Sequence, residues 1–316
     1  MIGFAYGVDG KTVCKMLPAE SISASGELVW VHLNTQIEEA KAWLSDTGKL
    51  PDFIVEALTA VETRPRCDQI GDGAFINLRG RAVDEMTMSD PLASVRIWAV
   101  AGKVFSVTRH PLTAIDLVVQ AVEQGQIHDP GDLIAEFAAA ITSELDPEVA
   151  DLGDLLDDCE AELDQDRIFE LRRTVTKVRV QAIGYRRFLT PQRAAIEKLA
   201  ALPVPWLQDE DRMHLSAAAD RAARMAEELE SIRERSALTH EALTDLRAEQ
   251  IDQRALLISV VAMIFLPLTF LTGLLGMNVK GIPFADQPWA FDGIVLFCAA
   301  IAGGVTVYFI QRHWFR

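Results

Sequence analysis

The sequence predicts a mixed α/β domain, followed by a long helical region and two membrane-spanning helices at the C-terminus. Short runs rich in β-branched and aromatic residues occupy the first third of the chain. Neither glycine nor proline occurs between Pro205 and Pro267, which favours one long helix. Two uncharged apolar runs then close the chain of 316 residues, half of which are hydrophobic.

The N-terminal domain is expected to span residues 1–130 and to contain a sheet. Strand-like runs lie at 28–33, 74–80, 94–100 and 103–108, and 52–60 has the composition of a helix. Ala101-Gly102 is typical of a tight turn joining two strands. An α+β domain whose sheet contains antiparallel pairs is therefore expected.

Residues 131–254 are assigned to a helical region that ends in a stalk helix, with helical signals beginning near 113. We expect Pro191 and the sequence PVPW at 203–206 to interrupt the helix that precedes the stalk. Within the stalk, small or apolar residues give way to polar ones at alternating spacings of three and four, which is the pattern of a heptad seam. The seam is Leu215, Ala218, Ala222, Met225, Leu229, Ile232, Ser236, Thr239, Leu243, Leu246 and Gln250. A stalk of ~100 Å must pack this stripe on the preceding helices or on copies of itself.

The last fifth of the chain is predicted to cross a membrane twice. Residues 255–276 form the first span and 293–311 the second, because about twenty apolar residues reach the ~30 Å of a hydrocarbon core. The tail, 312–316, carries Arg312 and Arg316, whereas the loop 277–292 holds one Lys and two Asp. The positive-inside rule therefore places both termini in the cytoplasm and the loop outside.

Charge and cysteine usage narrow the classes of function. A net charge of −16 argues against nucleic acid as a partner, because phosphate binding needs a basic surface, and it favours cations. The four cysteines are scattered without CxxC spacing, so no zinc knuckle is indicated. Cys159 and His214 are the two residues to probe for a cytoplasmic zinc site. No nucleophile, nucleotide loop or catalytic dyad stands out, so an enzyme is not expected.

One face of the first span combines small, hydroxyl-bearing and apolar residues. At helical spacing it carries Asp252, Ala255, Ser259, Ala262, Leu266 and Thr269. Thr269 offers a hydroxyl, Leu266 an apolar constriction, and Asp252 a carboxylate at the cytoplasmic end. Gly276 and Asn278 beyond them suit either an ion filter or a helix C-cap.

The sequence IFLPLTFLTGLLGMN at 264–278 resembles that of the CorA-type divalent metal transporters, whose signature is Gly-Met-Asn. NVKGIP at 278–283 and ETRPR at 62–66 are similar to the zinc-transporting ZntB branch. Lys280 departs from this branch, which has glycine there, and no glutamate follows Pro283, so Asp286 is the nearest acid.

The resemblance implies a funnel-shaped homopentamer in the bacterial inner membrane, with an α/β/α-like cytoplasmic sheet layer. Five copies of the first span would line a pore in the bilayer, and Gly276, Met277 and Asn278 would form its outer filter. The cargo would be Zn2+, with Mg2+, Co2+, Ni2+ and Cd2+ as further candidates, and the ZntB likeness implies proton coupling. A magnesium or cobalt channel on the same scaffold is the alternative. A membrane-anchored scaffold or sensor is the other class left open.

Overall fold

A computed structural model describes residues 3–34, 38–61, 64–83, 92–164, 167–277, 282 and 287–311. The chain divides into two compact units, which are described separately. One comprises Met1–Glu162 with Arg173–Thr239, and the other Leu163–Arg172 with His240–Arg316. Asn278, Lys280, Asp286, part of the ETRPR motif and the basic tail lie outside the described residues.

The first unit contains a sheet of seven strands within its described residues. They are β1 (Gly3–Asp9), β2 (Thr12–Met16), β3 (Leu28–Asn34), β4 (Arg66–Ile70), β5 (Gly73–Arg81), β6 (Leu92–Val100) and β7 (Lys103–Thr108). Their order is β2-β1-β3-β7-β6-β5-β4, and each neighbouring pair is antiparallel except β3 with β7. The predicted strands and the antiparallel pairing are thus confirmed. Gly102, at φ +72°, makes the predicted turn between β6 and β7.

Helices cover both faces of this sheet. The helices of the chain are α1 (Glu38–Ala42), α2 (Asp52–Thr59), α3 (Thr113–Glu123), α4 (Pro130–Ala161), α5 (Ile168–Ala200), α6 (Asp209–Leu275) and α7 (Ala290–Gln311). Along β3, Val29, Val31 and Leu33 join a core with Ile54 and Leu58 of α2. The alternate residue Trp30 packs edge-on against Phe137 of α4, with ring centroids 5.6 Å apart. Period-2 burial of β3 therefore fixes an α/β/α layering.

Three strands, β1, β2 and β4, were not predicted from the sequence. Glycines weaken the strand signal of β1, yet the fold needs them, because a Cβ on Gly3 would lie 1.9 Å from the carbonyl oxygen of His32 on β3. Only the long-range pairing of β1 with β3 reveals this requirement.

The predicted interruption at Pro191 is wrong, because α5 runs through it. Its neighbour Gln192 is buried and accepts a 2.7 Å hydrogen bond from the backbone N–H of Arg79 in the sheet. Burial of Leu189 and Ile196 on the same face adds packing that outweighs the cost of a helix proline, which is ~3 kcal/mol. The PVPW sequence does separate α5 from α6, as predicted.

The stalk prediction is confirmed, since α6 runs unbroken for 67 residues. Nine of the eleven seam residues, Leu215 to Leu243, are buried, while Leu246 and Gln250 are half-buried. In the first unit the seam packs on the preceding helices of the same chain. Ile232 lies beside Gly153 of α4, and Arg186 of α5 forms a 3.1 Å ion pair with Glu230. The seam is therefore satisfied there within one chain.

Candidate ion pathway and carboxylate cluster

The structure places the predicted pore residues on one exposed face of α6. Asp252, Ala255, Ser259, Ala262, Leu266 and Thr269 are all exposed in the single chain, with Leu266 at 74%. Both α6 and α7 are long and apolar enough to cross a membrane, and their apolar segments are almost entirely exposed. An exposed apolar helix face needs either lipid or another helix to cover it.

The opposite face of the apolar segment of α6 carries its less exposed residues. They are Leu256, Val260, Ile264, Leu268, Leu271 and Leu275. On α7 a similar stripe of less exposed residues includes Ile294, Cys298, Ile301, Val305 and Phe309. At 100° per residue, the predicted pore face is centred about 180° from the stripe of α6. It therefore points away from the more covered side of α6.

Two hydroxyl groups on the pore face have fixed hydrogen-bond roles. Ser259 Oγ donates to the carbonyl oxygen of Ala255 at 2.8 Å, and Thr269 Oγ1 donates to that of Phe265 at 2.7 Å. With their protons used inside the helix, both oxygens present only lone pairs outward. Water molecules bound to a cation point their hydrogens away from it, so such oxygens can accept from a hydrated ion.

The end of α6 is closed by its own backbone. The N–H of Gly276 donates to the carbonyl oxygen of Thr272 at 2.9 Å, and Met277 beyond it is half-exposed. A Cβ on Gly276 would lie 3.1 Å from that same oxygen, so a larger residue would crowd the last turn. The capping role of Gly276 therefore coexists with any filter role of the following Asn278.

Charged groups are absent from the sequence between Ala255 and Leu275. The acid next to this segment is Asp252, one turn before it on the exposed face of α6. Zinc prefers Cys and His as direct ligands, and the pore face offers neither. The arrangement therefore suits a cation that keeps its water shell.

Cys159 and His214 do not come together in the structure. Cys159 is buried on α4, next to Glu160, which accepts a 3.0 Å hydrogen bond from Thr239 on α6. His214 is exposed near the start of α6, where its Nε2 lies 4.0 Å from a Glu210 carboxylate oxygen. Some twenty-five residues of helix, or ~37 Å, separate the levels of Thr239 and His214. A joint zinc site of these two residues is excluded by this geometry.

Three carboxylates that the sequence analysis missed meet where α4 and α6 begin. Ligand oxygens of Asp129, Asp132 and Asp211 lie within 4.8 Å of one another. Asp129 caps α4 by accepting from the N–H of Asp132 at 3.0 Å, and Asp132 accepts from the N–H of His128 at 2.9 Å. Asp211 accepts from the N–H of Gln208 at 2.7 Å. The trio therefore consists of two abutting helix caps, and the spacing Asp-Pro-Gly-Asp at 129–132 was its available signal.

Asp211 is the buried member of this cluster, with 2% of its surface exposed. Its carboxylate packs directly on Gly131, where a Cβ would lie 2.0 Å from Oδ2. Burial raises the pKa of Asp211 to about 6, the charges of Asp129 and Asp132 act in the same direction, and the Gln208 N–H opposes them. Two helix N-termini also favour negative charge here. The net result is a pKa of Asp211 well above the ordinary value of 3.8.

Asp211→Asn is expected to remove a pH-dependent loss of stability. Since the folded pKa of about 6 lies above the ordinary value of 3.8, the native state binds more protons between these values. Asp211 therefore adds to the free energy of unfolding below pH 4, and this contribution is lost as the pH rises through 6. At pH 7.5 the variant should gain up to about 3 kcal/mol in the free energy of unfolding, measured by thermal unfolding, and at pH 4 the gain should vanish.

The control is Asp209→Asn, which changes an exposed acid in the same turn. A pH-independent gain would contradict this assignment.

The comparisons with known proteins agree with this geometry. The family model described as CorA-like Mg2+ transporter protein matches residues 25–312. The chain belongs to the CorA-like family. Among curated relatives, the zinc transport protein ZntB of Pectobacterium carotovorum subsp. carotovorum (strain PC1) is 31% identical over 311 residues, covering 98% of this chain and 95% of the relative. The predicted CorA-type family and its ZntB branch are thus confirmed.

Solved structures of CorA-like proteins match over the full length. The full-length CmaX protein is 27% identical, with a TM-score of 0.78, and the match covers 100% of this chain and 98% of that one. The CorA magnesium transporter of Methanocaldococcus jannaschii, at 17% identity and a TM-score of 0.82 over 99% of both chains, shares the fold. As a CorA-like protein, the chain is a divalent metal cation transporter rather than an enzyme.

Proposed function

We propose that the protein carries Zn2+ across the bacterial inner membrane through a pore lined by five copies of α6. In this proposal Gly276, Met277 and Asn278 form the outer filter, Leu266 the apolar constriction, and Ser259 and Thr269 two rings of hydroxyl acceptors. Asp252 supplies carboxylates at the cytoplasmic mouth, and both termini lie in the cytoplasm. The observation that carries the proposal is the exposed face of α6, which lies opposite the more covered side of the helix and combines small residues with outward lone pairs.

The heptad position of this face supports a cation path. Ala255, Ala262, Thr269 and Gly276 share one position of the repeat, so they lie on one side of the helix. Nearer the N-terminus the same position carries Asp220, Glu227, Glu234 and Glu241, all of them exposed. Acids at this position would raise the cation concentration beside a path along the helix.

Zinc is favoured over magnesium by the ZntB relatives. Its selection must work on the hydrated ion, because small divalent ions dehydrate reluctantly and the pore face has no soft ligand. Since no ionisable group lies between Ala255 and Leu275, any proton coupling must use the loop or the cytoplasmic part. A magnesium or cobalt channel of the same architecture remains the second candidate.

Metal uptake into proteoliposomes tests the proposal. Zinc, magnesium and cobalt are offered in turn, with and without a pH gradient. We expect saturable zinc uptake that responds to the gradient. Uptake of magnesium but not zinc would replace the first candidate with the second, and no uptake of any metal would refute transport by this chain.

Assembly is the first structural consequence of the proposal. A single α6 leaves its pore face uncovered, so several copies must surround a common axis. We expect the purified protein in detergent to have the mass of a pentamer by native mass spectrometry. A monodisperse monomer or dimer that still carries zinc would rule out the pore.

Lys280, in the loop after α6, is expected to slow the passage of cations without changing their selection. Five ammonium groups at the outer mouth repel all divalent ions alike, and this field is screened over ~8 Å at physiological ionic strength. Lys280→Gly should raise zinc and cobalt uptake together at low salt, with a gain that shrinks as salt rises. Asp286→Asn should act in the opposite direction. A gain for one metal alone, or one indifferent to salt, would mean that Lys280 acts by local geometry.

A further inference from the structure

The exposed face of α5 differs in charge from the rest of this acidic protein. The helix carries eight Lys or Arg residues and two Glu, in a chain of net charge −16. Its outward stripe is Arg173, Lys177, Val180, Gly184 and Arg187, at alternating spacings of four and three. We call these five residues the basic stripe. It lies opposite the buried face formed by Leu171, Val175, Val178, Ala182, Tyr185 and Leu189.

The cations of the basic stripe are not neutralised by the described part of the chain. Other basic residues of α5 do have acidic partners, as in the pairs of Arg186 with Glu230 and Lys198 with Asp68. Among the residues that the structure describes, no carboxylate lies within 4.0 Å of Arg173, Lys177 or Arg187. The stripe therefore presents uncompensated positive charge in one row.

Apolar exposure marks the centre of the same face. Val180 is 63% exposed and its neighbour Ile183 is 46% exposed. Gly184 lies between the charged ends, and a Cβ built on it meets nothing within 4 Å. Glycine in a helix interior is destabilising relative to alanine, and here the chain itself does not use the space. A glycine beside exposed apolar residues on a charged row suits the close approach of another helix.

A face of matching chemistry lies on α4. This helix carries ten acidic residues and no Lys or Arg. Its outward stripe is Pro147, Asp151, Asp154, Asp158 and Ala161, again at spacings of four and three, with Leu155 46% exposed beside it. We call these five residues the acidic stripe. Within the described part of the chain, Asp151, Asp154 and Asp158 have no cation within 4.0 Å, in contrast to Asp157 and Glu160, which both bind Arg235.

We infer that the basic stripe of one copy docks on the acidic stripe of a second copy of this chain. Charge complementarity, the shared heptad spacing and an apolar centre on each face point to helix-on-helix packing. Every copy carries both faces, so the contact is head-to-tail and can repeat around a ring. This inference depends on the proposed function only because both require more than one copy of the chain. The proposed partner of the basic stripe is thus an acidic helix of another copy rather than a lipid or a nucleic acid.

Disulfide trapping between two differently tagged full-length copies tests this contact. One copy carries Lys177→Cys and the other Asp154→Cys. Both copies also carry Cys14→Ser and Cys298→Ala, which remove the two cysteines that are not buried; Cys67 and Cys159 are buried and are kept. Oxidation is expected to give a product bearing both tags, which only a contact between copies can form. The control pair, Glu197→Cys with Asp154→Cys, places the thiol on α5 outside the stripe and should give several-fold less product.

Two further variants make the test specific. Gly184→Phe should abolish the trapped product while leaving the fold of each copy intact, since no atom of the chain occupies that space; Gly184→Ala should retain it. Arg173→Glu with Arg187→Glu should lower the yield several-fold, and Asp151→Lys with Asp158→Lys in the other copy should restore it. Absence of the two-tag product, equal yield from the control pair, or binding of the basic stripe to phosphatidylglycerol vesicles in its place would overturn the inference. Zinc uptake and the mass of the assembly are measured on the same samples. These two readouts test the proposed pore independently of the contact between the stripes.

Discussion

Asn278→Ala is expected to abolish zinc uptake while leaving assembly and the helical content unchanged. The substitution removes an amide oxygen and an amide NH2 from each copy directly after Met277, and it adds no charge. In the proposed pore this deletes the ring of acceptors that holds the water shell of the arriving ion. A hydrated divalent ion then loses these side-chain acceptors at the outer mouth. Uptake should fall by more than about tenfold, as measured with a zinc-sensitive dye in proteoliposomes.

Thr272→Ala is the matched control for this variant. Thr272 lies one turn before the end of α6, and its hydroxyl donates within the helix to the carbonyl oxygens of Leu268 and Thr269. Because it lies beside the pore face rather than on it, its loss should leave uptake near the wild-type level. Unchanged uptake in Asn278→Ala would show that Asn278 serves only as a helix cap, like Gly276 before it.

The parts of the fold that the sequence predicted well are those in which one periodicity dominates. The heptad seam of α6 gave the position of its buried face because packing on a neighbouring helix follows the same period whichever helix supplies the contact. The alternation in β3 worked for a similar reason, since Val29 and Val31 meet one helix layer and Trp30 the other. Such signals are local, and the tertiary structure reinforces them.

The misses occurred where a distant partner decides the local structure. Gly3 and Gly7 weaken the strand signal of β1, and only the close approach of β3 explains why Gly3 is needed. Pro191 is tolerated because Gln192 bonds to the backbone of β5, which a reading of α5 alone cannot reveal. The contact of Asp211 with Asp129 and Asp132 likewise joins residues some eighty positions apart. The predicted face of α6 is exposed in the single chain, whereas its role in a pore stays a prediction.

The second large effect is expected for Ala262→Trp. Ala262 is exposed on the predicted pore face of α6, one turn after Ser259 and two turns before Thr269. Five indoles at this level would fill a pore of small residues and exclude water, so a hydrated ion could not pass. We expect uptake of zinc, magnesium and cobalt to fall by more than about tenfold together, because a steric block does not distinguish the ions.

Leu296→Trp on α7 is the matched control for Ala262→Trp. Leu296 is exposed on the side of α7 opposite its less exposed stripe, where a lipid-facing indole is tolerated in a bilayer. It should therefore leave uptake and the pentamer mass unchanged. If Ala262→Trp assembled normally and still carried zinc, or if both variants lost uptake equally, the exposed face of α6 would not line the path. The ions would then have to cross elsewhere in the assembly, and the roles given to Thr269, Leu266 and Ser259 would be withdrawn with it.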